Sequence, residues 1–189
     1  MELWRRELVR RDRMIEIDGS LGGGQLLRTA LSLSMITLSP FKIVNVRKKR
    51  ENPGLQAQHL TAVNAAKKIS NAEVEGDLMN STELIFKPKR ITGGKYDFDI
   101  GTAGSTTLVF QTLLPALVHA EKESEVSIEG GTANPLAPPA LEIREVFWWY
   151  LEKFGVKVDF EILKEGFYPK GGGKIGFKVK PIKDRKSVV

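Results

Sequence analysis

The stretch Ile17-Asp-Gly-Ser-Leu-Gly-Gly-Gly-Gln-Leu-Leu-Arg-Thr-Ala-Leu-Ser-Leu-Ser34 decides how the chain is read. Glycine lowers helix stability, so Gly22, Gly23 and Gly24 belong before a helix rather than inside one. Leu27, Ala30, Leu31 and Met35 recur at the i, i+3, i+4 spacing of a buried helical face, which starts the helix near Gln25. Upstream, Met14–Ile17 has the character of a short strand. Strand, glycine turn and helix in that order leave backbone N–H groups at the positive end of a helix dipole, a place suited to phosphate. Tight packing alone also explains a glycine turn. Neither G-x-x-x-x-G-K-[ST] nor G-x-G-x-x-G occurs here, which argues against an ordinary P-loop or Rossmann site.

Composition narrows the classes. The 189 residues are 41% hydrophobic and 28% charged, the balance of a globular protein with one good-sized core or two small ones. No apolar run reaches the length of a membrane span. Cysteine is absent, which removes disulfides, thiolate zinc sites and a cysteine nucleophile, and favours a cytoplasmic setting. The two histidines, His59 and His119, are too far apart in sequence to suggest a histidine metal site. A net charge of +6 suggests a polyanionic partner, nucleic acid first. The basic residues gather in RRELVRRDR near the N-terminus, in VRKKR at Val46–Arg50 and in KPKR at Lys87–Arg90. Residues 1–13 read as a charged N-terminal extension.

The chain also repeats itself. An offset of 82 positions sets Gly22 on Gly104, Val44 on Val126, Val46 on Ile128, Pro53 on Pro135 and Val74 on Val156. The first copy predicts strand 14–17, helix 25–38, strand 41–46, helix 55–70 and strands near 73–76 and 82–87. The second predicts strand 96–100, a helix through LVFQTLLPALVHA, strand SEVSIEG, a helix containing LEIREVFWWYLEKF, and strands near 156–163 and 174–179. Each copy is βαβαββ. Pro53 and the pair Pro138-Pro139 suit first turns of helices, where a missing N–H costs nothing.

Five segments in this order, GGGQLLRTALSLSMIT, NPGLQAQHLTAVNAA, IGTAGSTTLVFQTLLPAL, GGTANPLAPP and GFYPKGGG, resemble the RNA 3'-terminal phosphate cyclase family. The similarity runs from about Ile15 to Pro181. It implies an α/β fold of repeated βαβαββ units, similar in architecture to the enolpyruvyl transferases. It also implies a ligase-class enzyme that uses ATP and a divalent metal, Mg or Mn, to turn an RNA 3'-phosphate into a 2',3'-cyclic phosphodiester. In the family a histidine attacks ATP to form enzyme–AMP; the AMP passes to the RNA 3'-phosphate, and the 2'-hydroxyl displaces it.

Carried over position by position, Gln111 matches the family's ATP-contacting glutamine. Gly22, Gly23, Gly24 and Gln25 match the nucleotide-facing turn, and Arg28 follows in the same motif. Arg47 and Arg50 match basic positions that resemble RNA-phosphate or nucleotide contacts, and bottom-up reasoning agrees, because RKKRENPG sets positive charge beside a helix start. Three differences accompany the match. DGSLGGGQ is two residues shorter than the family's D-G-x-x-G-E-G-G-G-Q and lacks its acidic residue. Ala133 stands where an aspartate is usual. Neither His59 nor His119 matches the nucleophile; His59 is assigned to packing or substrate placement and His119 to a helix C-terminal cap. The expected organisation is an extension at 1–13, a two-repeat domain at 14–183 (14–94 and 95–183) and a tail at 184–189, without the family's inserted domain and C-terminal repeat. RNA 3' ends are the expected partner. A homo-oligomer is the expected way to cover surface that a third repeat would occupy. The rival reading is a non-catalytic, cyclase-like RNA-binding protein.

Overall fold

The computed structural model describes residues 13–182. The chain divides between Ile91 and Thr92 into two units. In the first, β1 (Ile15–Asp18) leads through the glycine turn to α1 (Gly24–Thr37), then β2 (Phe41–Val44), α2 (Ala57–Ser70), β3 (Glu73–Glu75) and β4 (Leu84–Lys87). The sheet order is β1-β2-β4-β3; β1 and β2 are parallel and the other pairings antiparallel. A right-handed βαβ crossover is the usual way to place two parallel strands side by side. Leu27, Leu31 and Met35 of α1 are buried with Phe41, Ile43, Leu84 and Phe86 of the sheet, and the Phe41 and Phe86 rings lie 5.7 Å apart.

The second unit runs β5 (Lys95–Asp99), α3 (Thr106–Leu117), β6 (Ser124–Gly130), a fourth helix, β7 (Lys157–Lys164) and β8 (Gly173–Lys180). Its order, β5-β6-β8-β7, has the same parallel and antiparallel pattern as the first sheet. The predicted fold class, α/β with repeated βαβαββ units, is therefore the observed one. Strict alternation builds the core side of this sheet: Val126 and Ile128, Val158 and Phe160, Ile175, Phe177 and Val179 are all buried. Phe110 of α3 meets Phe160 and Phe177 edge-on, at 5.1 and 4.8 Å between ring centres.

Two local predictions need correction. Pro53 is not in a first helical turn: α2 begins at Ala57 with Gln56 as N-cap. Gly54, at φ +74°, is needed by the preceding loop, because its N–H bonds the Val46 carbonyl (2.9 Å). The fourth helix, α4, is not a uniform α-helix. Ala140–Glu142 and Trp148–Lys153 are α-helical and Ile143–Phe147 between them is a π turn. Only Ala140 and Ile143 of this aromatic-rich segment are buried. The RRELVRRDR cluster and the tail at 184–189 lie outside the described residues, as does the extension at 1–13 apart from Arg13.

A candidate anion site at the glycine turn

The glycine run turns out to serve close approach. None of Gly22, Gly23 and Gly24 has a positive φ. A Cβ on Gly24 would fall on the Nε2 atom of His59 and 2.9 Å from Nη1 of Arg28; one on Gly23 would stand 3.0 Å from Nη2 of Arg50. Three basic side chains from different segments thus lie against the N-terminus of α1. Gly23 is the N-cap and supplies no capping side chain, and the first turn holds no acidic residue. Nothing in the motif's own side chains competes for an anion at these N–H groups.

His59 is aimed by its own helix. It occupies the third position of α2 in a capping box with Gln56, whose backbone N–H donates to Nδ1 (3.2 Å). With Nδ1 accepting, the neutral ring carries its proton on Nε2, the atom facing Gly24 and Arg28. The residue is 5% exposed. Burial first, then the charges of Arg47 and Arg28, push its pKa down to about 4, so the ring is neutral at pH 7.

Arg28, on α1, is 9% exposed, and burial lowers its pKa too. Its Nη2 donates to Oε1 of Gln25 (2.8 Å), and Gln25 donates in turn to Thr29 (3.1 Å). Arg47 has a left-handed backbone (φ 55°) and braces the loop after β2, donating to the carbonyls of Asn52 (2.6 Å) and Gly54 (2.8 Å). Arg50 remains exposed and reaches Gly23. Among the described residues none of the three arginines is in an ion pair. A nearly buried guanidinium with only a neutral amide partner is costly unless an anion completes it.

Asp18, the nearest acid in the motif, is already committed. It accepts from the N–H and hydroxyl of Ser20 (2.9 Å each) and from Nδ2 of Asn45 (3.1 Å), tying the end of β1 to the loop after β2. These bonds hold its carboxyl below the usual range. Among the described residues no three His, Cys, Asp or Glu side chains converge as a metal site. The donor-only cluster fits a phosphate and does not fit a resident divalent cation.

Gln111 belongs to the second unit, half-buried on α3. The turn that starts α3 is built by three segments far apart in sequence. Ser105 caps the helix through the Leu108 N–H (3.3 Å). Thr106 donates its backbone N–H (3.0 Å) and its hydroxyl (2.9 Å) to the Gly131 carbonyl. Thr107 donates to the Pro138 carbonyl (2.7 Å), and Asn134 donates to that of Ala103. Thr132 donates its N–H to the Gly166 carbonyl (2.8 Å) and its hydroxyl to Glu165 (2.6 Å), and that hydroxyl accepts the Gly166 N–H (3.0 Å). GTAGSTT, GGTANP and the start of GFYPKGGG are one assembly at the C-terminal ends of β5 and β6, the end of an α/β sheet where ligands bind.

Sequence reading sets Arg28 at the glycine turn and Arg47 and Arg50 after the second strand, and gives His59 to packing or substrate placement; the fold brings Arg50 and His59 to that turn beside Arg28. The signal for His59 was the Gln-x-x-His spacing at a helix start, which is a capping box.

The fold defines an α/β protein of paired βαβαββ units, with a donor-only turn at the start of α1 as its candidate anion site. Residues 20–189 match the family described as RNA 3'-terminal phosphate cyclase, and the chain belongs to that family. An RNA 3'-terminal phosphate cyclase of Ectopseudomonas mendocina is 54% identical over 167 residues, 88% of this chain and 49% of the relative. Proteins of the same name from Staphylothermus marinus and Sulfolobus acidocaldarius are 52% identical over 171 residues and 54% over 165, covering 89% and 86% of this chain and 48% and 49% of theirs. The chain thus spans about half the length of these curated relatives. No helix among the described residues is long and apolar enough to cross a membrane.

Proposed function

We propose that the first unit binds the terminal 3'-phosphate of RNA and that the chain takes part in its ATP-dependent closure to a 2',3'-cyclic phosphodiester. One observation carries this reading. Arg28, Arg50, Nε2–H of His59 and the start of α1 converge on the glycine turn, and every group there is a donor. A dianionic phosphate monoester matches such a set better than a phosphodiester, because it brings more charge and more free oxygens.

ATP, as substrate, would supply the adenylyl group that activates the 3'-phosphate for attack by the 2'-hydroxyl, as the family resemblance implies. The roles of the described residues are narrower. Arg28 and Arg50 neutralise the phosphate, His59 donates one hydrogen bond from a fixed ring, and Gln25 holds the Arg28 fork in place. Arg47 keeps the loop that carries Arg50 in shape. Gln111 on α3 is the proposed nucleotide contact of the second unit. The two units act as repeated copies within one protein in this reading, in a cytoplasmic setting. Self-association belongs to it as well, supported by Leu141, Val146, Trp149, Tyr150 and Phe154 of the α4 region, which are all at least half exposed.

A second reading is favoured by the same donor-only character. The cluster offers no base and no free nucleophile, which suits a protein that holds RNA ends without closing them. Incubating the full chain with ATP, Mg and a 3'-phosphorylated RNA separates the two. Conversion of the end to a phosphatase-resistant form supports cyclisation. Tight binding with the end still phosphatase-sensitive supports the binding reading.

A further inference from the structure

The backbone of the motif GFYPKGGG joins the assembly around α3 through Gly166, through Phe167 beside Ala133 and through Gly171, which lies against Thr102 and Ala103, while the side chains of Phe167, Tyr168 and Lys170 are exposed. Between β7 and β8, residues 165–172 form a tight hairpin whose backbone is fixed at several points. The Thr132 N–H donates to the Gly166 carbonyl (2.8 Å), and the Gly166 N–H donates back to the Thr132 hydroxyl (3.0 Å). Phe167 bridges Ala133 on one side and Gly171 on the other, the latter through the Gly171 N–H to the Phe167 carbonyl (2.8 Å). Gly171 and Gly172 both adopt left-handed backbone, at φ +69° and +68°, which closes the turn.

The side chains on this fixed frame take no part in holding it. Phe167 is 58% exposed and Tyr168 73% exposed. Adjacent aromatics kept in water on a rigid backbone cost solvation and return nothing to the fold. The lysines around them raise the same question. Lys170 is exposed within the turn, and Lys164 and Lys174 are direct cross-strand partners at its base. Like charges placed opposite each other weaken a strand pair. Glu129 is the partner of Lys174 on the other side of β8, yet among the described residues none of the three lysines is in an ion pair. The only carboxylate inside the hairpin, Glu165, is occupied by the Thr132 hydroxyl.

We propose that this hairpin is a stacking platform for single-stranded RNA: Phe167 and Tyr168 stack unpaired bases, and Lys164, Lys170 and Lys174 neutralise the backbone beside them. Exposed π-faces suit every base, and a preformed frame lowers the ordering cost of binding. The platform rests on the proposal that RNA ends are the substrate, and it adds a positioning surface in the second unit that reads strand character rather than the terminal phosphate. Its contribution is therefore the same for RNA with a 3'-phosphate and with a 3'-hydroxyl.

The test uses the full chain and a single-stranded RNA containing 2-aminopurine, prepared with either end group. Wild type should quench the probe on binding. Phe167→Leu/Tyr168→Leu, which keeps apolar bulk and removes the π-faces, should lose the quench and weaken both RNAs by about 5- to 100-fold. Tyr168→Phe should retain binding. Lys164→Ser/Lys174→Ser should flatten the salt dependence by about 0.7 per lost contact. The exposed aromatics predict an unchanged unfolding midpoint, which separates a binding loss from misfolding. Unchanged affinity and quench in the Leu double variant overturn the platform alone, provided wild type still prefers the 3'-phosphate. Loss of that preference with the aromatic effect intact overturns the phosphate-end reading alone. No binding of either RNA by wild type overturns both. Altered sedimentation in the Leu variant with unaltered RNA binding also overturns the platform, and assigns the rings to a protein contact.

Discussion

His59 shows how one side chain links fold to function. Its ring is needed neutral and oriented: burial and the charges of Arg47 and Arg28 keep it neutral, and the capping box with Gln56 orients it. The cost is paid in pH dependence. Above pH 6.5 the residue is neutral folded and unfolded, so it adds no pH dependence there. As pH falls from 6.5 towards 4 the unfolded chain takes up the proton first, and folding is disfavoured by up to about 1.4 kcal/mol per pH unit. Urea titrations across this window should show that fall in wild type and its loss in His59→Gln. Binding a 3'-phosphorylated RNA should raise the pKa of the ring, read by NMR; an unmoved titration would place the phosphate elsewhere. Gly24 gives a complementary prediction. Gly24→Ala should destabilise by about 1–3 kcal/mol through collision with the His59 ring. Gly22→Ala, whose Cβ meets only the Leu26 side chain, should cost less. Equal costs would mean that the glycines are there for the turn alone.

At the scale of elements, the turn before α3 is held by hydroxyls rather than by hydrophobic contact. Thr132 is fully buried, and its hydroxyl both donates to Glu165 and accepts from the Gly166 N–H. Thr132→Val keeps the shape and strands that N–H, so unfolding in urea should fall by about 1–3 kcal/mol. Glu165→Gln keeps an acceptor at the rim and should cost less than Thr132→Val; the reverse order would show that the carboxylate, not the buried N–H, holds the turn. Strand and helix positions were legible because alternation and i, i+4 spacing are local properties of the sequence. Ser124–Gly130 and Gly173–Lys180 follow the period-2 rule closely. The start of α2 was not, since Pro53 is a helix-start signal that the Arg47-braced loop overrides. The π turn in α4 was equally hidden, because an inserted residue in a helix leaves no mark in apolar spacing that aromatic residues already blur.

The whole molecule carries positive charge in excess, a +6 balance, and the cation cluster shows where part of it is concentrated. Arg28, Arg47 and Arg50 stand out in the sequence, but the approach of Arg50 and His59 to the glycine turn does not, because it depends on the path of the loop after β2 and on the direction of one imidazole. The apolar surface at α4 is a second property of this scale. Sedimentation over a range of concentrations should show a dimer or larger species that Trp149→Glu/Tyr150→Glu returns to monomer. A monomer at every concentration would leave that surface without a partner copy. The most direct test of the account concerns the end group of the RNA. Affinity should be measured, without ATP, for one single-stranded RNA ending in a 3'-phosphate and the same RNA ending in a 3'-hydroxyl. The account predicts at least about tenfold tighter binding of the phosphate form, and near-equal binding of the two once Arg28→Gln and Arg50→Gln are combined. Equal affinities in wild type, or a preference that survives the loss of both arginines, would contradict it.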